Sequence, residues 1–240
     1  MKEKKVLLMG NPNVGKSTVF NELTGMHQHT GNWTGKTVDS ADGNFYYKYN
    51  NYRLIDLPGT YSLIPSSEEE RVAGEYLLKE KYDCVVIVID STLLQRNLML
   101  FYQILEITNK VVVMLNLCDE AKKRNIEIDK NILSNLLGVP VIKATARSGK
   151  GINELLEEIH LISTNSEDYY SKKEYDLNKI DIENLAYKAE FVTNKAVTQA
   201  PSKKEKRDEF IDKIILGKYT SIPIMLIMFG IILWITIQGS

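Results

Sequence analysis

The stretch Gly10-Asn11-Pro12-Asn13-Val14-Gly15-Lys16-Ser17-Thr18 fits the spacing G-x-x-x-x-G-K-[ST], which is suited to holding phosphate. The glycines let backbone N–H groups turn inward around a β-phosphate. Lys16 adds a cation toward the β- and γ-phosphates, and Ser17 sets a hydroxyl where a Mg²⁺ would sit. A plain glycine turn is the bland alternative. It does not explain why the apolar run KKVLLM feeds the loop and a helical pattern, Lys16 to Leu23, leaves it.

Three further motifs follow in order. Asp56-Leu57-Pro58-Gly59 ends the run YRLID. An aspartate there can hold Mg²⁺ through water, and the glycine can offer its N–H to a γ-phosphate. Asn116-Leu117-Cys118-Asp119 closes KVVVML. Its last carboxylate can accept two hydrogen bonds from guanine N1 and N2, whereas adenine would leave it unpaired at a cost. Thr145-Ala146-Arg147 follows VPVIKA, where a backbone N–H can meet guanine O6. Each motif alone is common: Pro-Gly makes turns, and an Asx residue caps helices. Four in this order, each just after an apolar run, specify GTP or GDP as the ligand.

The elements that position these motifs are short and alternate in type. FYYKY and YRLIDL read as a strand pair with Asn50-Asn51 as the turn. CVVIVID and KVVVMLN are unbroken β-branched runs, as strands buried on both faces should be. Leu94 to Ile107 and Ile152 to Ile159 have helical spacing, and Ser66 to Glu70 caps and charges a helix start. The rhythm predicts an α/β fold, a mostly parallel sheet covered by helices. The chain has 240 residues, enough for one such domain and an appendage. A net charge of −1 gives no electrostatic support for coating nucleic acid. Cys84 and Cys118 sit in apolar runs and are expected as buried, reduced thiols. No Cys/His/Asp/Glu group has transition-metal spacing.

From Ser163 the chain turns polar, and two helices are expected, Ile182 to Ala200 and Lys203 to Leu216, parted by Pro201. Leu185, Ala189, Val192 and Ala196 share one face of the first. After Tyr219-Thr220-Ser221 comes IPIMLIMFGIILWITI, uncharged and without a polar stripe. Sixteen residues of helix span roughly 24 Å, and counting from Tyr219 makes a first membrane span feasible. Lys213 and Lys218 favour a cytoplasmic N-terminal side. The expected organisation is a nucleotide domain over 1–162, a linker and helical domain over 163–218, and a membrane helix over 219–240.

With these residues in view, the chain resembles a small GTPase of the translation-factor-related class over residues 1 to about 162. It is more closely similar to the N-terminal part of the bacterial ferrous iron transport protein B family. GNPNVGKST, GNWTGKTVD at Gly31 to Asp39, DLPGTYSL, DSTLLQRNL at Asp90 to Leu98 and NLCDEA all match. Leu117, Cys118 and Asp39 depart from the commoner residues without touching a group that must contact nucleotide. The resemblance makes Thr37 the switch threonine on Mg²⁺, beside Ser17 and Asp56. It makes Asn13 a ligand of K⁺ in the phosphate site; a loop residue tolerant of left-handed backbone is the alternative. Lys16, Thr37, Gly59 and Asn13 would carry the chemistry. Thr60 stands where other GTPases place a glutamine, so hydrolysis is expected to be slow. The function implied is a GTPase on the cytoplasmic side of the plasma membrane that gates or powers Fe²⁺ entry through a further membrane part. A homo-oligomer is compatible with it. The helical domain resembles the family's module that slows nucleotide dissociation. A soluble ribosome- or RNA-associated GTPase and a non-catalytic GTP sensor are the competing readings.

Overall fold

The computed structural model describes residues 3–25, 28–32, 39–165, 177 and 180–199, and positions 229, 230, 232, 234 and 236. Met1–Thr198 forms one compact unit and Gln199–Ser240 another. The first unit is built on β1 (Lys4–Gly10), α1 (Lys16–Thr24), β2 (Gln28–Asn32), β3 (Asp39–Tyr47), β4 (Asn50–Asp56), α2 (Glu68–Lys79), β5 (Cys84–Asp90), α3 (Leu94–Leu105) and β6 (Val111–Asn116). It continues with α4 (Cys118–Lys123), β7 (Ile126–Ile128), α5 (Lys130–Leu137), β8 (Val141–Lys143), α6 (Ile152–Asn165), α7 (Ile182–Ala196) and β9 (Val197–Gln199).

Seven strands form one sheet in the order β2-β3-β4-β1-β5-β6-β8. Strands β4, β1, β5, β6 and β8 are mutually parallel, while β2, β3 and β4 pair antiparallel. Alternation sorts each central strand between two cores. Leu7, Met9, Ile87, Val113 and Leu115 enter one, and Val6, Leu8, Val86, Val112 and Met114 the other. Both faces are therefore covered, and the β-branched runs are fully buried. Because the central strands run the same way, β1, β4, β6 and β8 end at one edge of the sheet, so all four expected motifs share a rim.

The hairpin differs from the expected one. Asn50 and Asn51 belong to β4, and the turn is Lys48-Tyr49, with φ of 45° and 63°. The apolar pairing decides this. Phe45 lies opposite Tyr52 with both side chains buried and the rings stacked 4.9 Å apart. A turn at 50–51 would set Tyr52 opposite Tyr49 and dissolve the stack. Polar anchors tie this hairpin to α6: the Tyr47 hydroxyl donates to Glu157 (2.8 Å), Lys48 pairs with the same carboxylate, and the Tyr52 hydroxyl meets His160 Nδ1 at 2.8 Å.

Helix α2 begins with a capping box between Ser67 and Glu70, as the acidic run implied. Helix α7 ends at Ala196, not Ala200, because the chain turns extended and β9 joins β7 in a separate two-stranded sheet. Leu185, Ala189, Val192 and Ala196 are buried, and α7 packs against α3 and α5. Cys84 is buried and Cys118 only half-buried; both are free thiols. The second expected helix, 203–216, lies outside the described residues. So does most of the expected span. Phe229, Gly230, Ile232, Trp234 and Thr236 are helical, with Phe229, Ile232 and Trp234 exposed. Among the described residues no helix is long and apolar enough to cross a membrane.

Candidate functional site

The phosphate loop runs from Gly10 at the end of β1 to Ser17 and Thr18 in the first turn of α1. Two of its glycines are required by what surrounds them. Gly10 has φ 152°, and a Cβ there would sit 2.4 Å from the Val88 carbonyl oxygen. Gly15 has φ 90°, and a Cβ there would meet Asn116 Nδ2 at 2.4 Å. The loop therefore lies directly on the base motif. Val14 is buried, whereas Asn13, Ser17 and Thr18 are exposed at the mouth. Asn13 takes a left-handed φ of 63°, which the bland reading of that residue also accommodates.

Asn116 is the joint of the site. It is 2% exposed; its Nδ2 donates to the Val14 carbonyl (3.0 Å) and its Oδ1 accepts from the Ala146 N–H (3.0 Å). One side chain thus holds the phosphate loop against the stretch 145–147. Its own backbone carbonyl accepts from Ser91 N (3.0 Å) and Ser91 Oγ (2.7 Å). Leu117 then takes left-handed φ 58°, ψ 31°, a conformation that costs a non-glycine residue about 1–2 kcal/mol. That turn starts α4 at once and leaves Asp119 exposed in its first turn. A cleft of about 1100 Å³ opens beside Asp119 and Thr145, with Ser91, Cys118 and Ala144 in its wall. The Thr145 N–H bonds the Lys150 carbonyl (3.1 Å), and the Ala146 N–H is engaged by Asn116. The donors expected at those two positions for a base oxygen therefore already have partners.

On the phosphate side, the Lys16 ammonium lies 3.3 Å from Asp56 Oδ1, with side-chain exposures of 12% and 17%. Burial raises the Asp56 carboxyl pKa above its usual range, and Lys16 opposes that shift. Asp56 Oδ1 is buried, and its contact with Lys16 is an ion pair without hydrogen-bond geometry. Burial leaves that carboxylate incompletely compensated. A hard cation suits it, and a carboxylate beside a loop hydroxyl such as Ser17 is a donor set that fits Mg²⁺. Asn11 Oδ1, in the loop itself, is also buried and unpartnered. Gly59 packs on Pro12, where an added Cβ would fall 3.2 Å from Pro12 Cα, and the Thr60 N–H reaches the Gly10 carbonyl (3.3 Å). Thr60 is 2% exposed, with Oγ1 donating to the Ser62 carbonyl (2.5 Å). Thr37 lies outside the described residues.

The fold thus gathers Gly10 to Thr18, Asp56, Gly59, Asn116, Asp119 and Thr145 to Arg147 along one rim. Sequence reasoning had not singled out Ser91 or the dependence of Gly15 on Asn116. Ser91 lies inside DSTLLQRNL, but its bonds to Asn116 and the Gly15–Asn116 contact arise from strands meeting across the sheet.

The family model described as ferrous iron transport protein B matches residues 4–159. The Fe(2+) transporter FeoB of Campylobacter jejuni is 35% identical over 243 residues, covering 98% of this chain and 39% of that protein. The Fe(2+) transporter FeoB of Escherichia coli is 43% identical over 159 residues, 65% of this chain and 21% of the relative. The chain therefore spans well under half the length of either. The cytosolic domain of the T. maritima FeoB iron transporter in a GDP form superposes with a TM-score of 0.75 at 30% identity, over 82% of this chain and 99% of that one. The isolated G domain of the same transporter gives 0.64 at 44% identity, over 68% and 99%.

Truncating Asn116 to alanine would leave the Val14 carbonyl and the Ala146 N–H unpaired. Asn116→Ala should lower stability by about 2–5 kcal/mol and weaken guanine-nucleotide binding together with it. Urea unfolding and nucleotide titration check this. A loss below about 0.5 kcal/mol would show that the two loops are held by something else.

Proposed function

We propose that this chain, which belongs to the ferrous iron transport protein B family, is the GTP-binding and GTP-hydrolysing part of a membrane ferrous iron transporter. Its α/β P-loop GTPase fold is shared with the cytosolic domains of its relatives. The observation that carries the nucleotide reading is the Asn116 amide, which joins the phosphate loop to the stretch 145–147 beside Asp119. Asp119 would accept from guanine N1 and N2. Gly10 to Thr18 would wrap the phosphates, with Lys16 turning from Asp56 toward the β- and γ-oxygens. Ser17, Asp56 and Thr37 would hold Mg²⁺, which supplies a Lewis acid to those oxygens when bound. Gly59 would offer its N–H to the γ-phosphate.

Thr60, the residue after Gly59, is not available as a base on water. Thr60 is buried, and its hydroxyl is committed to the Ser62 carbonyl. On this reading hydrolysis would rest on charge stabilisation and be slow. Asn13 would hold K⁺ beside the phosphates, adding positive charge where the bridging oxygen becomes negative. Residues 163–218 would form the linker and helical domain, and 219–240 the first membrane helix, with 1–218 on the cytoplasmic side. Fe²⁺ would pass through a further membrane part as cargo. A soluble ribosome-associated GTPase is disfavoured by the family match.

Two measurements test this reading. GTP hydrolysis by the chain should be at least tenfold faster in K⁺ than in Na⁺, and Asn13→Ala should remove the difference while retaining GDP binding. Equal rates for the wild-type chain in the two salts would end the potassium role. In the longer transporter, Lys16→Ala should abolish Fe²⁺ uptake in cells lacking other ferrous importers, and undiminished uptake would take GTP out of transport.

A further inference from the structure

We infer that Gln103 is a positioning residue that ties the stretch after Asp56-Leu57-Pro58-Gly59 to α3, and that this tie carries the state of the phosphate site to α7. The inference rests on the guanine-nucleotide reading above. Gln103 is 2% exposed on a helix whose other buried residues include Leu98, Leu100, Phe101 and Ile104. Its Oε1 accepts from the Leu63 N–H (2.7 Å) and the Ser62 hydroxyl (3.1 Å). The backbone N–H can only donate, which fixes which end of the amide faces the stretch. Two turns earlier on α3, the Arg96 guanidinium lies 4.2 Å from the centroid of the Tyr61 ring. Residues 61, 62 and 63 are therefore all held by α3.

The two residues just before them face the phosphate loop. Gly59 packs on Pro12, and Thr60 bonds Gly10. A γ-phosphate that recruits the Gly59 N–H pulls on a segment whose next three residues are fastened to one helix. α3 also packs on α7, and Leu98, Phe101 and Ile104 share a core with Ala189, Val192 and Ala196. Methionine or leucine would fill the volume of Gln103. The amide adds a bond that exists only while residues 62 and 63 hold their present path. If that path shifts and α3 does not follow, the buried oxygen loses its donors, which is costly. Packed helices move between discrete arrangements rather than deforming continuously, so α3 and α7 would respond together.

Amide hydrogen exchange of the 240-residue chain, loaded with GDP or with a non-hydrolysable GTP analogue, tests the tie. In the wild type, exchange within 184–196 should differ at least threefold between the two ligands. Gln103→Met should keep both affinities within threefold yet abolish the difference in α7. Gln103→Glu, which keeps an acceptor oxygen in either protonation state, should restore it. Ser62→Ala removes one donor to Gln103, together with the acceptor of the Ile64 N–H (3.0 Å), without touching the core, and should at least halve the difference, giving a readout should the methionine variant fail to fold. A difference that persists undiminished in Gln103→Met or Ser62→Ala overturns the inference, as does a wild-type chain that binds both ligands with α7 unchanged. A wild-type chain that binds neither ligand overturns the nucleotide reading itself.

Discussion

One buried amide, that of Asn116, ties together two of the loops at the rim of this sheet. Asn116 closes β6, and its side chain spans from the phosphate loop to the stretch after β8. Each loop sends one buried residue, Val14 or Ala146, into the core that β5 and β6 share. Asn116 adds the direct bond from one loop to the other. It also explains why Gly15 is a glycine, since no Cβ fits beside Nδ2. On the proposed reading, a base-reading element and a phosphate-holding element fixed to one side chain would keep a constant spacing. A nucleotide needs that spacing in order to be read at both ends.

Around this fixed half lies a half built to change. The Lys16–Asp56 pair is poorly solvated and incompletely hydrogen-bonded; on the proposed reading, phosphate and a hard cation would replace it. The stretch 57–63 is held by bonds from opposite sides. Leu57 and Thr60 donate to β1 and the loop, and residues 61–63 meet α3. Such a segment can exchange one set of partners for another without unfolding. The helix it touches is also the one on which α7 rests, the route proposed above for the state of the phosphate site.

Much of this was legible in the sequence because the signals are local. An apolar run ending in glycines, an Asp closing YRLID and an Asn closing KVVVML each state their own place. The parallel order of strands then brings them to one rim. What was not legible depends on partners far along the chain. The hairpin turn falls at Lys48-Tyr49 because Phe45 must stack on Tyr52, and the turn residues themselves give no hint of that. Helix α7 stops short because β9 finds β7 about seventy residues earlier in the chain. Helix α5 carries readable caps, Asp129 before it and Gly138 after it, but its eight residues give only two turns of apolar spacing. The two hydrogen bonds of Asn116 have no sequence signature beyond the residue type.

The central claim is that Asp119, placed by the turn at Leu117, reads guanine. The direct measurement is competitive binding of GTP, ATP and XTP to the wild-type chain and to Asp119→Asn. The account predicts that the wild type prefers GTP to both others by at least a hundredfold. It predicts that Asp119→Asn loses about 1.5–3 kcal/mol of GTP affinity, roughly ten- to hundredfold, and gains affinity for XTP. An Asp119→Asn chain that still binds GTP like the wild type, with no gain for XTP, would contradict it.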